Sequence, residues 1–293
     1  VLDYRRLTCE EDYEKMKDVL RSQCRETGHL YPQEHIGNLD FERYGFHDDL
    51  TYIYDTSWLI MHREEVVGFI TLEGEEFVLG LLGTFKDQVN EVFKAIEEDL
   101  CPSFDTLVYD VLDQDTQTQE ILHARGYKRS DRFRYAGICR LESLSPVSML
   151  PHGFVIRPSR EEDINQRVDL FHLPTGGVGI SRARYINLIQ APSFDKNLDF
   201  VVTTEGDQIV AYCTFWYDPH SQVAIIEPVA CVHAYRKKGI TKALINHGLN
   251  QLKDLGCKVV YVGTGGQNLP AQKLYESVGF ETYGFRYEWE KKL

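Results

Sequence analysis

What this chain lacks narrows what it can be. No apolar run approaches membrane-spanning length, so no membrane partner is expected. The opening residues, Val1-Leu2-Asp3-Tyr4-Arg5-Arg6, hold no apolar signal core, and Val1 in place of Met suggests a trimmed or incomplete start. Cysteine is too scattered to build with. There are seven, an odd number, and no Cys-x-x-Cys pair. That pattern excludes a disulfide framework and a zinc site, and it fits a reducing cytoplasm; no metal is expected. Positive charge is also short. Lys and Arg total 32 against 45 Asp and Glu, a formal net charge of −13. Such a balance disfavours nucleic acid as a partner and leans toward a cationic ligand such as an amine.

What is present describes a globular protein. Hydrophobic residues make up 43% and charged residues 26% of a chain of 293, long enough for two domains. The halves repeat one another. Arg6-Leu-Thr-Cys-Glu-Glu-Asp12 parallels Arg157-Pro-Ser-Arg-Glu-Glu-Asp163, each after a short apolar strand and before a helix. Thr8 and Ser159 are the predicted N-caps, with Glu11 and Glu162 as their capping-box partners. Residues 58–71 and 200–214 both read as hairpins. Ile121-Leu-His-Ala-Arg-Gly126-Tyr127 echoes Leu274-Tyr-Glu-Ser-Val-Gly279-Phe280. Residues 1–142 and 154–293 thus read as two copies of one α+β unit, joined by a linker over 143–153 rich in Ser and Pro.

The second half holds the strongest local signal. Ala224 to Val232 is a buried strand interrupted by Glu227 and Pro228. From Lys242 onward, Leu244, Ile245, Gly248, Leu249, Leu252 and Leu255 step at threes and fours, a helical period. Arg236, Lys237, Lys238 and Gly239 lie between. A helix N-terminus has unpaired N–H groups and a partial positive charge. Three cations and a glycine at that point make a cradle for phosphate; the plainer alternative is a solvated basic turn.

Arg236-Lys-Lys-Gly239-Ile-Thr241 resembles the Arg/Gln-x-x-Gly-x-Gly/Ala motif of the GNAT (GCN5-related) acetyltransferases. Thr241 departs from the usual Gly or Ala. Downstream, Asn268-Leu-Pro-Ala271-Gln-Lys-Leu-Tyr275, followed by Gly279-Phe280, is similar to the family's second signature. The two lie in the family's order and extend the resemblance over roughly residues 154–289. The resemblance implies a mixed α/β fold: two GNAT-like domains, each a central, mostly antiparallel mixed sheet with helices on both faces. It implies that Ala230, Cys231, Val232, Arg236, Lys237, Lys238, Gly239, Ile240, Thr241, Lys242 and Asn268 hold acetyl-CoA as cosubstrate. It further implies that the strand before the phosphate helix splays from the next. The implied reaction is direct transfer of acetyl to a primary amine, with a small-molecule acceptor by analogy to other two-copy members. A CoA-binding sensor without turnover, and a protein or peptide N-acetyltransferase, are the alternatives.

In such a reaction a carboxylate can take the amine proton and an acid can meet the departing sulfur. Tyr275 is the acid that the resemblance implies; on helical pattern alone it is a core tyrosine. Glu227, a charge inside an apolar strand, is the candidate base, unless it is merely salt-bridged or exposed. Pro228 beside it predicts a bulge or an edge. Asn268 is otherwise an ordinary helix cap. His233 is expected to be exposed, and Cys231 to matter through its backbone rather than its thiol. Gly263-Thr-Gly-Gly266 reads as a flexible connection. The first half lacks this chemistry. It has one Lys and no Arg-x-x-Gly before its helix, Leu122 in the place of Tyr275 and Asp115 in that of Asn268. It is expected to be a degenerate partner that shapes the acceptor site. Residues 23–49, rich in His, Tyr and Arg, are expected to be irregular and to lie over that site.

Overall fold

The computed structural model describes residues 1–29, 34–101, 104–144 and 148–293. In the first half the order is β1 (Asp3–Arg6), α1 (Glu10–Glu26), α2 (Ile36–Phe46), α3 (Tyr52–Thr56), β2 (Ser57–His62), β3 (Glu65–Glu73), β4 (Glu76–Leu81), α4 (Val89–Ala95), β5 (Thr106–Leu112), α5 (Thr116–Ala124) and β6 (Lys128–Arg140). The second half runs β7 (Phe154–Pro158), α6 (Ile164–Leu170), α7 (Arg182–Leu188), β8 (Asp199–Thr204), β9 (Ile209–Asp218), β10 (Val223–Cys231), α8 (Ile240–Asp254), β11 (Val259–Gly265), α9 (Leu269–Ser277) and β12 (Glu281–Lys292). Apart from α3 the two orders are the same, as the internal repeat predicts.

Among the described residues, twelve strands join one mixed sheet, in the order β1-β2-β3-β4-β5-β12-β6-β11-β10-β9-β8-β7. Only β4–β5 and β10–β11 are parallel. The order shows an exchange at the centre. β12 lies between β5 and β6, and β6 lies between β12 and β11. Each half's sheet is therefore completed by the other half's last strand. The chain's last strand, β12, is thus internal to the sheet and not at its edge. Its Trp289 packs into the first half's core beside Tyr109 and Tyr127. Of the predicted linker, Ser145 and Pro146 lie outside the described residues. Ser148 is tied to α8, its hydroxyl accepting from Asn246 Nδ2 at 2.7 Å.

Period-two alternation divides the second half's strands between two cores. Ala224, Ile226, Val260 and Val262 face α8 and α9. Val223, Ile225, Val259 and Tyr261 face α2, α6 and α7. Helices thus cover both faces of the sheet.

The predicted caps are off by one residue. The N-caps are Cys9 and Arg160, and the carboxylates that reach back are Asp12 and Asp163. Asp12 accepts from Thr8 N at 3.1 Å, and Asp163 from Arg160 N at 2.8 Å. Each is fixed by a strand arginine, Arg5 at 2.7 Å and Arg157 at 2.6 Å. Bidentate pairing with those arginines favours the aspartates over Glu11 and Glu162.

Of residues 23–49, residues 30–33 lie outside the described residues, and most of the others are helical, against the expectation of irregular chain. α1 runs on to Glu26, and α2 is a helix whose N-cap, His35, accepts from Gly37 N at 3.0 Å. Its apolar period is hidden because it buries charge: Asp40 accepts from Lys17 Nζ (2.9 Å), Tyr13 Oη (3.0 Å) and Ser193 N (2.9 Å). Ser193 belongs to the second half, so Asp40 fastens α2 across the junction. A Cβ on Gly37 would stand 2.3 Å from Trp216 Cβ. We expect Gly37→Ala to destabilise the protein by about 1–3 kcal/mol through overpacking. A lower denaturant midpoint at constant m-value would show it; an unchanged midpoint would mean that α2 does not rest on Trp216.

Candidate active site

The site begins where two strands part. β10 and β11 pair in parallel from Val223↔Val259 to Ile226↔Val262 and no further. Beyond Ile226, β10 keeps only its β9 partner, with a register shift between Ile226 and Val229 that is the bulge expected around Pro228. Gly263, Thr264 and Gly265 of β11 keep only β6. The gap opens into a cleft of about 1330 Å³. The backbone edge of Val229–Cys231 on that side has lost its sheet partner and is available to an extended ligand.

At one end of the cleft lies the basic turn. After Cys231 a single 3-10 turn, His233–Tyr235, leads to extended Arg236, then Lys237 (φ +60°) and Gly239 (φ +78°), which caps α8. The conformation at Gly239 favours glycine, and a Cβ there would meet nothing within 4 Å. The turn therefore presents backbone to open space, with the first N–H groups of a fifteen-residue helix behind it. Arg236 Nε donates to the Cys231 carbonyl at 3.0 Å, which fixes the side chain at the strand end. Thr241, half-buried, lines the cleft beside Cys231.

Midway stand Glu227 and Tyr275, both on the cleft wall. Glu227 is half-buried, and Trp216 Nε1 donates to its carbonyl at 2.6 Å, which holds the backbone at the bulge. Burial pushes its carboxyl up to about 7; Arg134 opposes this and Glu34 adds to it. A carboxyl there is poised to accept protons near neutrality. Tyr275 is buried at 4% exposure. Burial first, then the negative charge of Glu227, raises its phenol well above the ordinary value, so it keeps its proton at neutral pH. Burial also raises the Cys231 thiol, which leaves it a poor nucleophile.

The far end is built mainly by the first half. Glu34, Asn38, Phe41, Glu42 and Phe46 come from α2 and the residues before it, Glu76 from β4, Asp110 from β5 and Arg134 from β6; Arg286 of β12 joins them. Arg134 lies 3.6 Å from both Glu76 and Asp110. Burial lifts Glu34 to about 7. Glu42 stays open to the cleft, yet the surrounding walls and then Glu73, Glu227 and Glu34 lift it to about 8.

Residues 169–280 match the acetyltransferase (GNAT) family model. The matched stretch lies wholly within the second half of the chain and holds both the basic turn and Tyr275. Over 107 residues the chain is 30% identical to mycothiol acetyltransferase of Corynebacterium glutamicum (strain R), a stretch that spans 36% of each protein, about a third of that relative's length. Whole-chain likeness is to solved structures, one of them a tandem protein. A tandem GNAT protein from the clavulanic acid biosynthesis pathway superposes with a TM-score of 0.70 at 17% identity, covering 100% of this chain and 98% of that one. A GCN5-related N-acetyltransferase from Sphaerobacter thermophilus gives 0.64 at 16% identity, covering 99% and 95%. At those identities the likeness is one of fold.

Within the matched stretch the cleft gathers Glu227, Ala230, Cys231, Arg236, Lys237, Gly239, Ile240, Thr241, Lys242, Asn268 and Tyr275. Val232 and Lys238 are not brought to it. Val232 N donates to Val210 O at 2.9 Å, and Lys238 Nζ lies 5.0 Å over the Tyr235 ring. Asn268 caps α9, accepting from Ala271 N at 3.4 Å and donating to Thr264 Oγ1 at 3.0 Å. His233 is exposed, as expected. Among the described residues no cluster suits a metal ion, and no helix is long and apolar enough to cross a membrane.

The equivalent parting in the first half is filled. There β4 and β5 pair only at Glu76↔Val108. The next residues, Phe77 and Tyr109, stack with ring centroids 4.7 Å apart, and Phe93 of α4 closes edge-on at 5.3 Å from Tyr109. The second half has Glu227 and Gly263 just past its last pair. Sequence reasoning missed Glu42, Glu76, Asp110, Arg134 and Arg286, because no motif marks them and only the strand exchange and the seating of α2 assemble them.

Proposed function

We propose that this protein is an N-acetyltransferase that moves acetyl from acetyl-CoA to a primary amine of a small-molecule acceptor, by direct transfer with both substrates bound. One observation carries the reading: the gap between β10 and β11 connects the basic turn at Arg236–Gly239 with the cleft wall that bears Glu227 and Tyr275. Residues 154–293 form the working unit, and residues 1–142 a degenerate copy that lends the acceptor wall. Turnover belongs to the reading as well, and separates it from a CoA sensor.

The residues fit acetyl-CoA. Arg236, Lys237, Lys242 and the first N–H groups of α8 hold its phosphates. The unpaired edge of Val229–Cys231 holds the pantetheine arm, and Asn268 keeps α9 against it. Acetyl-CoA supplies an acyl carbon already activated as a thioester. Glu227 takes the proton that the amine must lose, its affinity for protons being set by burial near 7. Tyr275 directs a phenol proton at the departing sulfur. Holding both partners in one cleft contributes much of the rate. α2 covers the acceptor end, which supports a small acceptor over a protein surface.

The test is thiol release from acetyl-CoA in the presence of an amine panel. Amine-dependent release in the wild type, with kcat lowered about 10²-fold in Tyr275→Phe and acetyl-CoA affinity retained, supports the reading. Tight acetyl-CoA binding with no release for any amine would replace it with a sensor.

A further inference from the structure

The cleft has two ends of opposite charge. Arg236, Lys237, Lys242 and Lys273 line one. Glu34, Glu42, Glu76 and Asp110 line the other, with Arg134 and Arg286 as the cations beside them, and Glu227 stands between the two ends. Arg134 is already engaged between Glu76 and Asp110, at 3.6 Å from each. Glu42 and Glu227 have no ion pair among the described residues. These carboxylates do not sit on an open surface. They line a cavity continuous with the splayed strands, and Phe41, Phe46 and Tyr135 line the same cavity. Apolar walls with a few convergent charges are the form of a small-molecule site.

We propose that the acceptor is a dication: a primary amine joined through a short apolar chain to a second, permanently protonated nitrogen. The reacting nitrogen lies at Glu227, the chain along the aromatic wall, and the second cation at Glu42 with Glu34 beside it. This rests on the acetyltransferase reading of the same cleft. The chemistry balances. The reacting amine loses one proton and forms the C–N bond, the C–S bond breaks, and the sulfur leaves as thiol or thiolate. The second nitrogen takes no part and keeps its charge. The raised proton affinities of Glu34 and Glu42 agree, since crowded carboxylates short of counter-charge hold protons that a bound cation would release.

The test compares three acceptors of one length on the full chain: 1,5-diaminopentane, 1-aminopentane and 5-aminopentanoate. Binding by calorimetry and turnover are both measured. The diamine is expected to bind about tenfold more tightly than the monoamine and the amino acid. Glu42→Gln is expected to collapse the diamine-to-monoamine ratio toward one, with an unchanged melting temperature confirming the fold. Equal binding of diamine and monoamine, preference for the amino acid, no binding of any of the three, or a ratio that Glu42→Gln leaves intact would each overturn the proposal. Selective diamine binding without acetyl transfer would instead sink the acetyltransferase reading and leave the dication site standing.

Discussion

Glu227→Gln is expected to lower kcat about 10²–10³-fold while acetyl-CoA binds as before. The amide has nearly the shape of the carboxyl, so the Trp216–Glu227 backbone bond at 2.6 Å and the bulge should survive. What is lost is the only role that needs a charge. The pH profile gives a second readout. Burial holds this carboxyl near 7, where Arg134 and Glu34 pull in opposite directions. Below that pH the group is protonated and cannot take a proton, so kcat must fall as pH drops. A bound ammonium favours the charged form and moves the limb to 7 or slightly below. Glu34 and Glu42 titrate in the same range, so the decisive comparison is between proteins: the acid limb should vanish in Glu227→Gln. A variant with near wild-type kcat and the same limb would place the base elsewhere.

Gly239→Glu is expected to weaken acetyl-CoA binding by about 10²-fold or more. Two effects combine. The residue holds φ +78°, where a side chain costs about 1–3 kcal/mol of strain. The new carboxylate also enters the open space that Gly239 faces, at the positive end of α8, and repels phosphate. Arg236→Ala is the milder companion. It removes one charge but leaves the turn, so affinity should fall about three- to tenfold and the loss should shrink as salt rises. If Gly239→Glu binds acetyl-CoA like the wild type, the phosphates do not lie at this turn.

The parts of the site that were legible in the sequence are those whose reason is local. Gly239 must adopt a left-handed conformation between a strand and a helix, and three cations stand beside it, so the turn announces itself. Asn268 caps the helix it precedes. Tyr275 has no local reason, and only its place in a second signature singles it out from a core tyrosine. The rest depends on partners far along the chain. Asp40 looks like a surface charge in the middle of α2 until Lys17, Tyr13 and Ser193 converge on it. The exchange of β6 and β12 was equally hidden. Each strand has the alternation of any antiparallel neighbour, and nothing within residues 281–292 distinguishes β5 from β11 as its partner. The cap error has the same character: Asp12 outcompetes Glu11 because Arg5, on another element, holds it.

The wall of the acceptor end follows from that exchange. Arg134 and Arg286 stand on adjacent strands, β6 and β12, paired with one another in register. The first half, whose own parting is filled by Phe77 and Tyr109, supplies α2 and β6 to that wall, and the second half supplies β12. That division of labour can be counted. Titrating acetyl-CoA into the full-length protein by calorimetry should give one site per chain, lost in Gly239→Glu and retained when Lys86, the lone cation of the first half's corresponding turn, is changed to Glu. Two sites per chain, or one site that survives Gly239→Glu and disappears with Lys86→Glu, would show that the first half holds the cosubstrate and that the working half has been assigned to the wrong copy.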